Sequence, residues 1–147
     1  MAELLAGQII RAVDLNYPIH ENATLSGGPT SGTTELLLTG SLTIPAQPID
    51  VLVIPTLLLS ITATVDNDRF QVRIRDTNVS GTLRATTTTK VGTTDSIVIP
   101  SAPAISLTAG VTLTLVATLA RIAGTGTASV STSTGSAYLA ATVIADR

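Results

Sequence analysis

Cysteine and tryptophan are absent from this 147-residue chain, and its aromatic residues amount to one Phe and two Tyr. Without thiols there are neither disulfides nor thiolate metal sites. With a single His, a His/Cys zinc site is excluded as well. Charge is almost as scarce. Asp, Glu, Lys and Arg make up 12% of the residues, where about a quarter is usual, and the formal net charge is −2. Eight Lys and Arg scattered along the chain build no basic face, so nucleic acid is not an expected partner. Long apolar runs are missing too. The longest, VLVIPTLLL at residues 51–59, falls far short of the roughly 20 residues that cross a bilayer, and Pro55 interrupts it. No membrane association is therefore expected. The opening Met1-Ala2-Glu3 lacks the basic region of a signal peptide, so a soluble, non-exported protein is expected. The sequons at Asn22 and Asn78 then carry no meaning.

What the chain does have is Leu, Ile, Val, Ala and a great deal of Thr, with 44% apolar residues overall. Thr, Val and Ile are branched at Cβ and suit a pleated, half-buried surface. A disordered chain would be poorer in them and richer in charge. The length fits one domain with an adequate core. So little charge on so small a domain leaves wide neutral surface, which favours association with other subunits.

Residues 1–32 read differently from the rest. Ala2, Leu5, Ile9, Ala12 and Val13 recur at helical spacing, Pro18 would end such a helix, and the SGGPTSG stretch at 26–32 reads as flexible. Too few apolar residues lie here for a separate core, so the segment is expected to be an extended or partly helical arm. It would either pack on the main domain or dock on a neighbour. From Glu35 onward the period is two. Phe70, Val72 and Ile74 alternate with Gln71, Arg73 and Arg75; Val111, Leu113 and Leu115 alternate with Thr112 and Thr114; Ala128 and Val130 alternate with Ser129 and Ser131. The last run, near 136–144, is apolar on both faces, which implies burial on both sides, by a facing sheet or by another subunit. Turn signals at Asp66-Asn67-Asp68, 78–81, Gly92, 100–103, Gly110, 124–126 and Gly135 cut the runs to short strands. The pattern predicts an all-β fold, an antiparallel, jelly-roll-like β-sandwich over 33–147. Pro45, Pro48 and Pro55 are expected at edges or sheet-switching corners, because Pro cannot donate to a ladder.

No catalytic constellation emerges. His20 lies beside Pro18 and Glu21, outside any strand expected to position it, and no G-x-S-x-G elbow is present. Asp66-x-Asp68 begins like a calcium loop, but Phe70 and Thr77 stand where oxygen ligands belong. Asp66, Asp68, Asp76 and Asp95 could pair for glycoside hydrolysis, yet aromatic platforms for a sugar are nearly lacking. Gly124-Thr125-Gly126 has no following Lys or helix and reads as a turn, not a phosphate loop. The densest charge is Asp66, Asp68, Arg69, Arg73, Arg75 and Asp76, read as a solvated strand face with cross-strand ion pairs. No catalytic residue, cofactor or metal is expected.

The opening LLAGQIIRAVDLN, Leu4 to Asn16, resembles the start of many small structural proteins of tailed phages of actinobacteria, in which a Gly-Gln-like pair precedes an R-A-x-D-L element. Gly7, Gln8, Arg11, Ala12, Asp14 and Leu15 match it. The runs from Phe70 to Leu83 and from Ser136 to Ile144 are similar to strands of phage decoration and fibre-knob β-sandwiches. The resemblance covers about a third of the chain and implies a homotrimer with an N-terminal arm that attaches to the particle. Taken with the arm that has no core of its own and the uncharged domain, it leads to the expectation of a capsid decoration (cement) protein, a virion component assembled in the host cytoplasm, whose partner is the major capsid protein. Leu4, Leu5, Ile9, Ile10, Arg11, Leu15 and Tyr17 are the candidate anchors. A tail or tail-fibre component with a trimeric knob touching the host surface is the alternative, and a polysaccharide-active enzyme built on Asp66 and Asp68 is the third reading.

Overall fold

Alternating branched and polar residues favour extended backbone, in which successive side chains fall on opposite faces. In the computed structural model, which describes residues 17–30, 33–93, 95–99, 102–130 and 137–146, that alternation becomes two antiparallel sheets packed face to face. In chain order the strands are β1 (Ile19–Thr24), β2 (Gly27–Thr30), β3 (Leu36–Ile44), β4 (Val51–Ala63), β5 (Asp68–Asp76) and β6 (Leu83–Val91). They continue with β7 (Asp95–Ile99), β8 (Ile105–Leu107), β9 (Leu113–Ala123), β10 (Ala128–Val130) and β11 (Ala137–Ala145). Among the described residues there is no helix, and so none long and apolar enough to cross a membrane.

The 13-residue β4 is the spine of the first sheet. On one side it pairs with β11, from Ala137↔Leu59 to Ala145↔Val51, and then with β10, from Val130↔Ile61 to Ala128↔Ala63. β1 and β2 lie outside β11 and β10. Along the other side of β4 run β8, opposite Val51 to Val53, and β7, opposite Leu57 to Ile61. The second sheet has the order β3-β9-β5-β6. Since the chain crosses between sheets after β2, β3, β4, β6, β8 and β9, the architecture is a jelly-roll-like sandwich, the all-β fold that the alternation predicts.

The inward sets meet in one core. Val51, Val53, Leu57, Leu59 and Ile61 of β4 face Phe70, Val72 and Ile74 of β5 and Leu115 and Leu119 of β9, all fully buried. Leu139 and Val143 of β11 complete the layer. Each such side chain contributes roughly 1.5–3 kcal/mol relative to an exposed one.

Three expectations change. Residues 19–24 and 27–30 of the expected arm are strands of the first sheet, the flexible reading of SGGPTSG included. The reason is long range: β1 completes a sheet with β11, more than a hundred residues away, which local composition does not reveal. Pro55 occupies the central strand, whereas Pro45 and Pro48 lie in the sheet-switching connection as expected. It is tolerated because its backbone faces the gap between β7 and β8, where its carbonyl accepts from the Ala102 amide at 3.0 Å. No ladder partner there requires the missing N–H. Val111 falls outside β9 and is exposed, because the turn at Ala109-Gly110 extends through it.

The sheets are stitched at one corner. Ser26 and Thr39 exchange backbone hydrogen bonds of 2.9 and 2.7 Å, and β3 bulges between Leu37 and Ser41. Gly40, at φ +105°, sits so close to β1 that a Cβ there would lie 2.3 Å from the Thr24 carbonyl oxygen. Only Gly meets both conditions.

Candidate functional site

Two outer faces result, and nearly all the described charge of the strands lies on one. On the β3-β9-β5-β6 sheet, Arg73 and Arg75 point outward from β5 because Val72 and Ile74 point in. Both donate to Glu35, which lies just before β3. Arg75 does so through Nε at 2.7 Å and Nη2 at 3.1 Å, and Arg73 through Nη1. The buried Thr118 hydroxyl of β9 donates to the same carboxylate. Arg75 Nη1 also reaches the Gly81 carbonyl at 3.0 Å. Alongside, Arg84 donates bidentately to Asp76, at 2.8 and 2.5 Å. Val116 and Ala120 on this outer side of β9 are buried beneath the layer of long side chains. Burial alone would raise the pKa of Glu35. The Arg75 and Thr118 hydrogen bonds and the charges of Arg73 and Arg75 outweigh it and hold the carboxyl below the ordinary glutamate range. Glu35 and Arg84 are absent from the charge cluster read in the sequence. Glu35 stands 38 and 40 residues from its two arginines, and no local pattern marks it.

The Asp66–Asp68 turn is not arranged around a cation. Asp68 is buried, and its Oδ2 accepts from the Gly126 amide at 2.5 Å. Gly124, at φ +103°, brings the β9–β10 turn so near that a Cβ would lie 1.9 Å from Asp68 Oδ1. Asp68 therefore anchors that turn, as a structural acceptor. No group of three or more His, Asp or Glu converges among the described residues. His20 projects from the outer face of β1, with Nδ1 3.2 Å from the Thr142 hydroxyl.

The outer face of the first sheet is of another kind. Register places Leu52 opposite Ile144, Ile54 opposite Thr142, Thr56 opposite Ala140 and Leu58 opposite Tyr138, all half-buried. β1 adds His20, Asn22 and Thr24 beside Thr142, Ala140 and Tyr138. No Asp, Glu, Lys or Arg occurs among the described side chains of these rows. Between β1 and β4 lies a shallow depression of about 380 Å³ whose lining includes His20, Asn22, Thr56, Tyr138 and Thr142, with Glu21 of β1 at its edge.

Of the candidate anchors, Leu4, Leu5, Ile9, Ile10, Arg11 and Leu15 lie outside the described residues, as does the helical spacing that contains most of them. Tyr17 is described. Its ring packs at the margin of the core, and its hydroxyl donates to Gln47 Oε1 at 3.0 Å. It thus ties the start of the sandwich to the β3–β4 connection, at the end of the molecule where residues 1–16 join.

No protein-family model matches the sequence, and no curated protein is significantly similar to it. Solved structures share its fold. Eiger TNF of S. frugiperda superimposes with a TM-score of 0.54 at 13% identity, over 88% of this chain and 94% of that one. A chain of the T13 particle of infectious bursal disease virus gives 0.49 at 18% identity, and VP2 of the subviral particle of that virus 0.47 at 14%. This chain spans about a third of the length of those viral chains, with 88% of it aligned. At 13% identity the likeness to Eiger TNF is one of fold, the β-sandwich.

Proposed function

We propose that this chain is a non-catalytic structural protein of a virion, a trimeric capsid decoration protein that uses the segment before Tyr17 to hold the major capsid protein. The observation that carries the reading is the pairing of an all-β body with no convergent chemistry and an apolar segment joined at one end of it. Glu35, Asp68, Asp76 and Tyr17 are each engaged in holding the chain's own elements together. Leu4, Leu5, Ile9, Ile10 and Leu15 then supply the apolar area for docking, and Arg11 a charge at its rim. Obligate interfaces of this kind reach 2,000 Å² or more in total. The resemblance of Leu4–Asn16 to the opening of tailed-phage structural proteins supports the same assignment, and a tail location remains the alternative outcome.

The experiment is co-sedimentation with empty capsids of the parent virus, comparing the full chain with a variant lacking residues 2–16. The deletion stops short of Tyr17 and β1, so the sandwich stays intact by circular dichroism. The full chain is expected to pellet with capsids at a copy number commensurate with the lattice, and the truncated chain to stay in solution. A truncated chain that still coats capsids removes the arm from the mechanism. A full chain that ignores capsids moves the protein to the tail.

A further inference from the structure

We infer that the uncharged outer face of the first sheet, centred on Leu58, Tyr138 and Ala140, is the surface through which copies of this chain associate. The inference deepens the proposed function, on whose self-association it rests, by naming the face.

The starting point is an imbalance in what each strand buries. β4 and β11 both carry apolar side chains on two faces, but the second sheet covers only one of them. Leu52, Ile54, Leu58, Tyr138 and Ile144 point the other way and remain half-buried, with no described strand across them. A row of Leu and Ile facing water along a sheet is the kind of exposed patch that marks an interface.

Size and charge choose the occupant. β11 and the stretch of β4 paired with it, nine residues each, together with the six residues of β1 and the eight of β7 and β8, at ~3.4 Å per residue and about 4.8 Å between strands, give on the order of 500 Å² in plan, before side-chain relief is counted. That approaches the ~800 Å² each partner contributes to a stable interface. Taking a charge out of water costs several kcal/mol unless it is well paired. Two of these faces brought together strand no charge from their central rows, whose described side chains carry none, and Glu21 stands only at the β1 edge, while Arg73, Arg75 and Arg84 remain outside on the opposite sheet. Further copies of this chain, gathered in the proposed trimer, are the partners that bring matching uncharged sheets with them. The hydroxyls and amide of Thr142, Thr24 and Asn22 supply hydrogen bonds toward the β1 edge of the face, where the apolar rows thin out.

Sedimentation equilibrium of the full chain, with two charge insertions, tests this. The unmodified protein is expected at a multiple of its 15.0 kDa chain mass. Leu58→Arg should reduce the mass to one chain while the β-sheet circular dichroism is retained, and Thr88→Arg on the opposite sheet should leave it unchanged. Because the chain has no Cys, Ala140→Cys and Thr88→Cys each offer a single thiol. Maleimide labelling of Ala140→Cys should be several-fold slower than that of Thr88→Cys, and should speed up on dilution. This pair decides the matter should Leu58→Arg fail to fold. A monomeric unmodified protein overturns both the inference and the self-association half of the proposed function. An oligomer whose Ala140→Cys thiol reacts as fast as Thr88→Cys overturns the face alone.

Discussion

The outer side of the β3-β9-β5-β6 sheet holds Arg73, Arg75 and Arg84 against Glu35 and Asp76, whereas the described central rows on the outer side of the first sheet hold Leu58, Tyr138, Ile54 and Thr142 and no charge. Both rest on the same core, and both derive from strict alternation along the strand. They differ in what remains after the chain has folded. The charged side satisfies itself: each described arginine of its ion pairs has a carboxylate of the same chain within reach. The uncharged side is left with half-covered Leu and Ile for which the chain supplies no cover among its described strands. Charge density therefore marks the face that is finished, and its lack marks the face with free energy still to gain. The densest charge in the sequence invited a search for chemistry, and it lies on the finished face.

Perturbing the layer beneath both faces should have the largest effect. Phe70 is fully buried, and Phe70→Ala should cost about 3–5 kcal/mol in urea unfolding. It should lower self-association as well, since both sheets lose their support; an undiminished oligomer would separate assembly from the fold. Next comes Glu35. Removing it leaves Arg73 and Arg75 half-buried without a counter-charge, and Glu35→Ala should destabilise the chain by about 2 kcal/mol with the oligomer mass unchanged. The pH dependence follows from the same group. Its carboxyl is held below the ordinary value of ~4.3, so the folded state binds fewer protons than the unfolded state near that value. The stability it contributes is thus fully present above about pH 4.5 and is lost as pH falls through the folded pKa. Thermal unfolding from pH 7 down to acid should show a steeper decline for the unmodified chain than for Glu35→Gln. The smallest effect is expected at Arg84, which is more exposed: Arg84→Ala should cost under about 1 kcal/mol, with assembly unmoved. A change in oligomer mass on substituting Glu35 or Arg84 would blur the distinction between the faces.

Much of the sandwich was readable where one side chain type repeats every second residue. Phe70-Val72-Ile74, Ala128-Val130 and the two-faced run ending at Ile144 are all strands with the inward sets expected of them. What alternation lacks is information on pairing. β1 and β2 are too short and too polar to declare themselves, and only β11 and β10 make them strands. Pro55 looked like an edge signal because the rule concerns its own N–H, while tolerance depends on whether a neighbour faces that atom. Glu35 was invisible for the same reason, since its partners come from two other strands. The uncharged face was half legible: β11 reads as apolar on both sides, but the alignment of Leu58 with Tyr138 and of Leu52 with Ile144 is a matter of register.

The pairing of β1 with β11 also sets a timetable for synthesis. His20 and Thr142 touch across 122 residues. At 5–20 residues per second, a ribosome needs on the order of ten seconds to make that stretch. Throughout that interval Ile19–Thr24 has emerged with its hydrogen-bonding edge unoccupied, while β5 and β6, separated only by a short turn, can already zip together. β1, made long before its partner, is thus seated late, and the sheet acquires this border only once β11 has been synthesised.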